Sequence, residues 1–384
     1  MKENPTRLSN LFRVLCGPIN PKTEKTEKLR WRISFVLVHA SVVNHLTLVV
    51  LLILAPLSWG EGRLDQEHPE FSPAIHRSAM QDLPSVVRRA GKEGYVKINF
   101  VINQSGRASD IWVLDYTDDF FVKEMQLFAE KWEFEPAKLN GVVQESTREH
   151  ALVYEVDTGW FYATASQHFD TAFRQFMRAV KGKNKQKALT SIEKMQKHKK
   201  NLLEETYYRQ AQYYFAAEWG DNESQYYWLS KALFSSNSGG RHLKPDTVKA
   251  FLLQKLALEL GFKKYAPALE TITELQEVNL EKKQRNRLNA ILREIKRMEN
   301  SQETLSSKVE IEATGSVYFR PLKRHISIAY GSGNVSLVEA HCLKGHDKFD
   351  VRSSSTFRLN EAYGKCLLRI SGEPGTRLDL IQNL

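Results

Sequence analysis

Several polar side chains sit where polarity is costly. Between Ile33 and Gly60 the chain has 28 residues without Asp, Glu, Lys or Arg, yet it carries Ser34, His39, Ser41, Asn44 and His45. A charge at the centre of a membrane helix costs about 2.5–3.5 kcal/mol on insertion scales, so polar groups in such a stretch need a reason. At about 100° per residue Ser34, Ser41, Asn44 and His45 share one helix face, with His39 about 120° from His45. A polar stripe of this kind suits hydrogen bonding to a partner helix; toleration at a bundle contact, without chemistry, is the plainer alternative. Elsewhere the reactive residues are dispersed. Cys342 and Cys366 can close a disulfide, two buried thiols being the other reading. The 11 histidines show no metal-ligand spacing and no nucleophile is spaced to meet a base. The expectation is a protein that is not an enzyme, with no catalytic residue, no metal and no cofactor; a hydrolase is the distant alternative.

The uncharged stretch would make roughly 42 Å of helix, more than the roughly 30 Å of a bilayer's hydrocarbon core. Residues 1–32 place eight basic residues against three acidic ones ahead of it, whereas Glu61–Glu70 has four acids and only Arg63. That asymmetry puts the N-terminus in the cytoplasm and the bulk of the chain across the membrane, with a basic tail at 1–32, an anchor at 33–59 and a short linker at 60–82. A cleaved signal peptide with Leu46–Ala55 as its apolar centre is the competing reading. The net charge of +10 then means topology rather than nucleic-acid binding.

Periodicity organises residues 83–157. Leu83–Lys92 reads as a short helix with Pro84 in its first turn, broken by Gly94. Tyr95–Asn103 alternates, with Val96, Ile98, Phe100 and Ile102 on one face, and a turn at Gln104-Ser105-Gly106 leads to a second strand at Ala108–Leu114. This predicts a hairpin with one buried face. Phe121, Met125, Phe128, Ala129 and Trp132 then follow a helical stripe, and Pro136 with Asn140-Gly141 precedes a last strand at Glu149–Val156.

The order and spacing of Pro84, Ala90, Gly94-x-Val96-x-Ile98-x-Phe100, Gly106, Phe121, Trp132-x-Phe134-x-Pro136-Ala137 and Asn140-Gly141 resemble the C-terminal domain of TonB-type energy transducers. Leu83 stands where that family often has Tyr. His39-Ala-Ser-Val-Val resembles the run at the family's anchor histidine, although the serine expected four positions earlier is replaced by Phe35. Ser34 lies one step off, and Ser41 and His45 have the four-residue spacing instead. The resemblance implies coupling of His39, Ser41, His45 and Ser34 to an inner-membrane motor of the ExbB–ExbD kind. It also implies capture of a peptide from a TonB-dependent outer-membrane receptor by strand addition to the last strand, at Glu149, Ala151, Val153 and Glu155. A covered edge in a purely structural domain is the alternative. Trp132, Phe134 and Pro136 are core or turn residues either way.

Two features depart from the family. The 22 residues from Glu61 to Asp82 span at most roughly 80 Å, without a Pro-rich spacer, and about 225 residues follow the domain. Residues 160–300 carry helical periodicity with Gly182, Gly220 and Gly261 between helices, resembling tetratricopeptide-like pairs. Their aromatic cluster, Tyr207 to Trp228, suits packing between helices. The basic runs Lys181–Lys200 and Lys282–Arg297 read as solvated faces or as contacts for anionic lipid, cell-wall polymer or an acidic protein. Residues 307–384 alternate in short strands, predicting a small disulfide-stapled β-sandwich. The fold class expected is multidomain: a transmembrane helix, a small α+β TonB-like domain, a helical-repeat region and a C-terminal all-β sandwich-like domain. Energy transduction at the inner membrane and a periplasmic adaptor or assembly factor without energy coupling are the two functional readings.

Overall fold

The computed structural model describes residues 70–77, 93–155, 164–238, 242–330, 332–351 and 354–384, all within one compact unit. The tail, the anchor with Ser34, His39, Ser41 and His45, and the helix carrying Pro84 lie outside the described residues. Among those described, no helix is long and apolar enough to cross a membrane.

Residues 71–76, assigned to the linker, instead form two short strands, β1 (Phe71–Ser72) and β2 (Ile75–His76). Next come β3 (Gly94–Ile102), β4 (Ala108–Tyr116), helix α1 (Asp119–Ala129), β5 (Phe134–Glu135), β6 (Lys138–Leu139), β7 (Val142–Val143) and β8 (Ser146–Tyr154). Strand β3 is central in an antiparallel sheet ordered β4-β3-β8. Its side chains Val96, Ile98, Phe100 and Ile102 pack with Phe121, Met125, Phe128 and Ala129 of α1, and with Trp132 and Phe134, in one apolar cluster. Asp118 starts α1 by accepting from Phe120 N. Asn140 and Gly141 both take left-handed φ, 51° and 79°, the turn that folds β6 onto β7. Strands β1 and β2 pair with β6 and β5, which fixes residues 71–76 to the body of the domain.

The expected single buried face is wrong for β3. Tyr95, Asn99 and Val101, on the opposite side, are buried as well. What buries them is the rest of the chain. Helices α2 (Gln167–Lys181), α3 (Lys185–His198), α4 (Leu202–Trp219), α5 (Asn222–Ser238), α6 (Pro245–Gly261), α7 (Tyr265–Glu277) and α8 (Lys282–Glu299) follow. Ser166, Asn184 and Asn201 cap the first three with side-chain oxygens. Gly182 and Gly220 stand at the C-caps of α2 and α4, and Gly261 ends α6. Apolar faces of α2, α3 and α4 share one cluster, and those of α5 to α8 another. The aromatic residues pack between helices, Tyr207 on Phe173, Tyr208 on Trp228 and Tyr213 on Phe251.

The C-terminal part has eight described strands: β9 (Leu305–Glu310), β10 (Ser316–Phe319), β11 (His325–Tyr330), β12 (Val335–Cys342), β13 (Gly345–Asp350), β14 (Ser354–Arg358), β15 (Cys366–Gly372) and β16 (Arg377–Asn383). They form two antiparallel sheets, β10-β15-β12-β13 and β14-β11-β16-β9, around one apolar cluster. Two strands exceed the six expected: β13, whose Gly-His-Asp-Lys-Phe-Asp has no apolar face, and β16. Cys342 and Cys366 are disulfide-bonded between paired strands.

Candidate functional site

Strand β8 is the last strand of the small sheet and, among the described strands, pairs with β3 alone. Its register sets Val153 opposite Tyr95, Ala151 opposite Lys97, Glu149 opposite Asn99 and Thr147 opposite Val101. With a period of two, these residues share the face turned away from α1, whereas His150 and Leu152 point toward α1. His150 meets the Trp132 ring at 5.5 Å, and Leu152 is buried in the α1 cluster.

The outer edge of β8 has no strand neighbour among the described residues, although its beginning is approached by the turn between β12 and β13. Thr147 Oγ1 donates to Cys342 O at 2.8 Å, and Gln144 Nε2 donates to Lys344 O at 2.8 Å. The open part of the edge therefore begins near Arg148. Of the residues singled out for partner pairing, Glu149 is engaged within the chain, by Lys97 and Arg320. Burial raises the pKa of its carboxyl, but the two cations outweigh burial and hold it below the ordinary carboxylate value. Arg320 continues the chain of charges to Glu270 of α7 at 3.7 Å. Ala151 and Val153 are half-buried, and Glu155 is exposed.

Among the described motif residues, Gly94, Gly106, Trp132, Phe134 and Pro136 pack on the α1 side of the sheet or at its hairpin. Gly106 turns the β3–β4 hairpin at a φ of +80°, where a Cβ would lie 2.1 Å from Phe134 O, so only glycine fits. Phe134 N in turn donates to Gly106 O at 2.7 Å. Trp132 and Phe134 fill the core beside Phe100, with ring centroids 5.5 and 5.8 Å from it. Gly94 opens β3 against the Phe121 ring. Pro136 follows β5, close to Gly106.

Besides the contacts of Thr147 and Glu149, two polar clusters join the far face of the sheet to the rest of the chain. The first joins it to the helices. Arg209 of α4, only 3% exposed, reaches Asp115 of β4 at 2.8 Å and Glu205 at 2.5 Å, and donates to Tyr116 O at 2.8 Å. Tyr95 donates to Asp115 at 2.6 Å and also meets Arg209, while Lys231 and Lys199 close the network on Asp115 and Glu205. Burial opposes the Arg209 charge, but Tyr95, Glu205 and Asp115 more than offset it, so the guanidinium is held in its charged form. Asp115 behaves likewise: burial raises its pKa, and Arg209 and Lys231 bring it below the ordinary value.

The second cluster joins the sheet to the C-terminal strands. Trp112 of β4 stacks on His341 of β12, with centroids 3.3 Å apart and planes 12° apart. His341 Nδ1 meets Asn99 Oδ1, and Arg369 lies over the Trp112 ring at 4.6 Å. Among the described residues one group, Asp110, His341 and His346, has donor atoms close enough to share a cation. The sequence hid this group, because Asp110 lies 231 positions before His341.

The family model for the Gram-negative bacterial TonB protein C-terminal matches residues 81–156, about a fifth of the chain. Among solved structures, the solution NMR structure of the Pseudomonas aeruginosa TonB CTD is 27% identical, covering 26% of this chain and 96% of that one, with a TM-score of 0.18. No curated protein matches.

Proposed function

We propose, from the premise that residues 81–156 form a TonB-type C-terminal domain, that this protein is a TonB-like energy transducer of the cell envelope. It takes up an extended peptide along β8 and is not an enzyme. The observation that carries this reading is the outer edge of β8, which no described strand covers beyond Arg148. Unpaired backbone N–H and C=O groups on an edge offer affinity to any extended chain, and flanking side chains select among sequences. In this reading residues 33–59 anchor the chain in the inner membrane with the bulk in the periplasm. His39, Ser41, His45 and Ser34 couple the anchor to an ExbB–ExbD-like motor, and the peptide belongs to a TonB-dependent outer-membrane receptor. The helices form tetratricopeptide-like pairs that add a protein-binding surface.

A second reading, a periplasmic adaptor without energy coupling, is favoured by a specific observation. Pairing of β1 and β2 ties residues 71–76 to the domain, so only residues 60–70 separate an anchor ending at 59 from it. Eleven residues reach at most about 40 Å.

The test is photo-crosslinking in cells from Glu155 and Val153, at the open end of β8, combined with purification of the membrane-embedded protein. Transduction predicts adducts with an outer-membrane receptor and co-purification of a motor. Adducts confined to soluble or inner-membrane proteins, without a motor, would establish the adaptor instead.

A further inference from the structure

We propose that Asp110, His341 and His346 bind a divalent cation of the Zn2+ class, which pins the TonB-type domain to the C-terminal β unit. The hairpin of β12 and β13 pairs His341 directly with His346, so both imidazoles leave the same face. That face meets β4. His341 Nε2 lies 3.2 Å from Asp110 Oδ2, His346 Nε2 lies 3.6 Å from the same oxygen, and all three donors fall within 4.8 Å of one another. Two ligands on a tetrahedral zinc, with bonds of about 2.0–2.1 Å, stand about 3.3 Å apart. The distances to Asp110 are within a few tenths of an ångström of that separation.

The surroundings orient the donors as ligands. His341 Nδ1 meets the amide oxygen of Asn99, and its Nε2 meets Asp110 Oδ2 at 3.2 Å; in the tautomer with the proton on Nδ1, Asn99 accepts that proton and the Nε2 lone pair is free to bind a cation. His346 Nδ1 faces Glu145 Oε2 at 3.6 Å, too long for a hydrogen bond, and its Nε2 lies on the Asp110 side of the ring. A ring N–H given to an outer oxygen, with the other nitrogen directed inward, is the usual support of a metal-bound histidine. In that tautomer of His341 a cation between the Nε2 lone pair and the carboxylate makes both contacts attractive. His346 Nε2 is buried without a hydrogen-bond partner among the described residues. Asp110 is held at a φ of 45°, a left-handed conformation that non-glycine residues adopt sparingly.

Positive charges also approach Asp110, and their geometry leaves room. Arg369 lies 3.6 Å from Oδ1, and Trp112 Nε1 donates to Oδ1 at 3.1 Å, so neither occupies Oδ2. Lys348 lies 3.5 Å from Oδ2, but it is 52% exposed and also pairs with Glu339 at 3.0 Å, a partner it keeps if it yields Oδ2. Two imidazoles and one carboxylate suit Zn2+ better than Ca2+ or Mg2+, which take oxygen ligands. Three protein ligands leave the fourth position to water.

The experiment uses the untagged full chain in detergent, stripped with a chelator. It is titrated with Zn2+ against a chromogenic competitor, and with Co2+ as a spectroscopic substitute, alongside the variants His346→Gln and Asp110→Asn. One equivalent should bind, Co2+ should give the visible bands of a tetrahedral site, and Zn2+ should raise the melting temperature. Both variants should lose affinity by more than roughly 100-fold, beyond what loss of an outer partner costs. Without zinc, His346→Gln should melt with the wild type, because its Nε2 has no hydrogen bond to a described residue to lose. Absence of any zinc-dependent shift in the wild type, or uptake of zinc unchanged in either variant, would overturn the site.

Discussion

Replacing Arg209 with Ala tests what joins the TonB-type domain to the helices. The guanidinium is 3% exposed and contacts Asp115, Glu205 and the carbonyl of Tyr116, so its removal takes one cation from each of two buried carboxylates. Breaking a buried ion pair from one side costs about 3–5 kcal/mol. Lys231 remains on Asp115 and Lys199 on Glu205, so the low end of that range, about 3 kcal/mol, is expected. At about 2 °C per kcal/mol for a large unit, that is roughly 6 °C in thermal denaturation. Arg209→Met, which keeps most of the volume, should recover only the packing part of the loss.

The same variant has a pH signature. In the folded state the pKa of Asp115 is depressed, because Arg209 and Lys231 outweigh the burial that raises it. A depressed carboxylate contributes stability above its unfolded pKa of about 3.9, and that contribution is lost as pH falls through the folded value. The gap between wild type and Arg209→Ala should therefore be full at pH 7 and narrow below about pH 3.9. Urea titrations at several pH values read both quantities. A variant within about 1 kcal/mol of wild type at pH 7, or a gap that does not narrow in acid, would refute the assignment of this network as the joint.

Three further outcomes follow from other contacts. Gly94→Ala places a Cβ 2.4 Å from the Phe121 ring and from Thr117 Oγ1, and overpacking of this kind costs about 1–3 kcal/mol, measurable by denaturant unfolding. Replacing both Cys342 and Cys366 with Ala opens a loop of sequence separation 24. On the chain-entropy estimate this costs about 3.5 kcal/mol, and an equal stability of the reduced and oxidised wild type would contradict it. Replacing His39 and His45 together should abolish uptake through a TonB-dependent receptor at unchanged protein level; unaffected uptake would remove the transduction reading.

The legible parts of this fold are those with an apolar period. Val96, Ile98, Phe100 and Ile102 announced the α1 side of β3, and the helical stripe from Phe121 to Trp132 announced what covers it. The other side of β3 was illegible because its partners are polar. Tyr95, Lys97 and Asn99 look like a solvent face, but they meet Arg209, Glu149 and His341, and contacts between polar groups leave no hydrophobic pattern. Strand β13 was hidden for the same reason, and β1 and β2 because a two-residue strand has no period at all. The edge strand β8 was legible as a strand, but the engagement of Glu149 depends on Arg320, 171 residues further on.

Covering the second face of the small sheet changes what strand addition would do in this chain. A domain joined to its neighbours only by a linker passes a pull along that linker. Here β3 and β4 carry Tyr95, Asp115 and Tyr116, which contact the helices, while Asn99, Asp110 and Trp112 contact the C-terminal strands. A peptide bound along β8 sits one strand away from β3, and Glu149 of β8 itself reaches Arg320 and through it Glu270. Tension applied at that edge would act on buried ion pairs that each cost a few kcal/mol to break from one side. The load would therefore be shared by the helices and the C-terminal sheets before the small domain could open. Under that reading the additional 225 or so residues are a mechanical mount for the edge, and weakening the Arg209 joint should lower the force at which the domain yields without changing peptide affinity at rest.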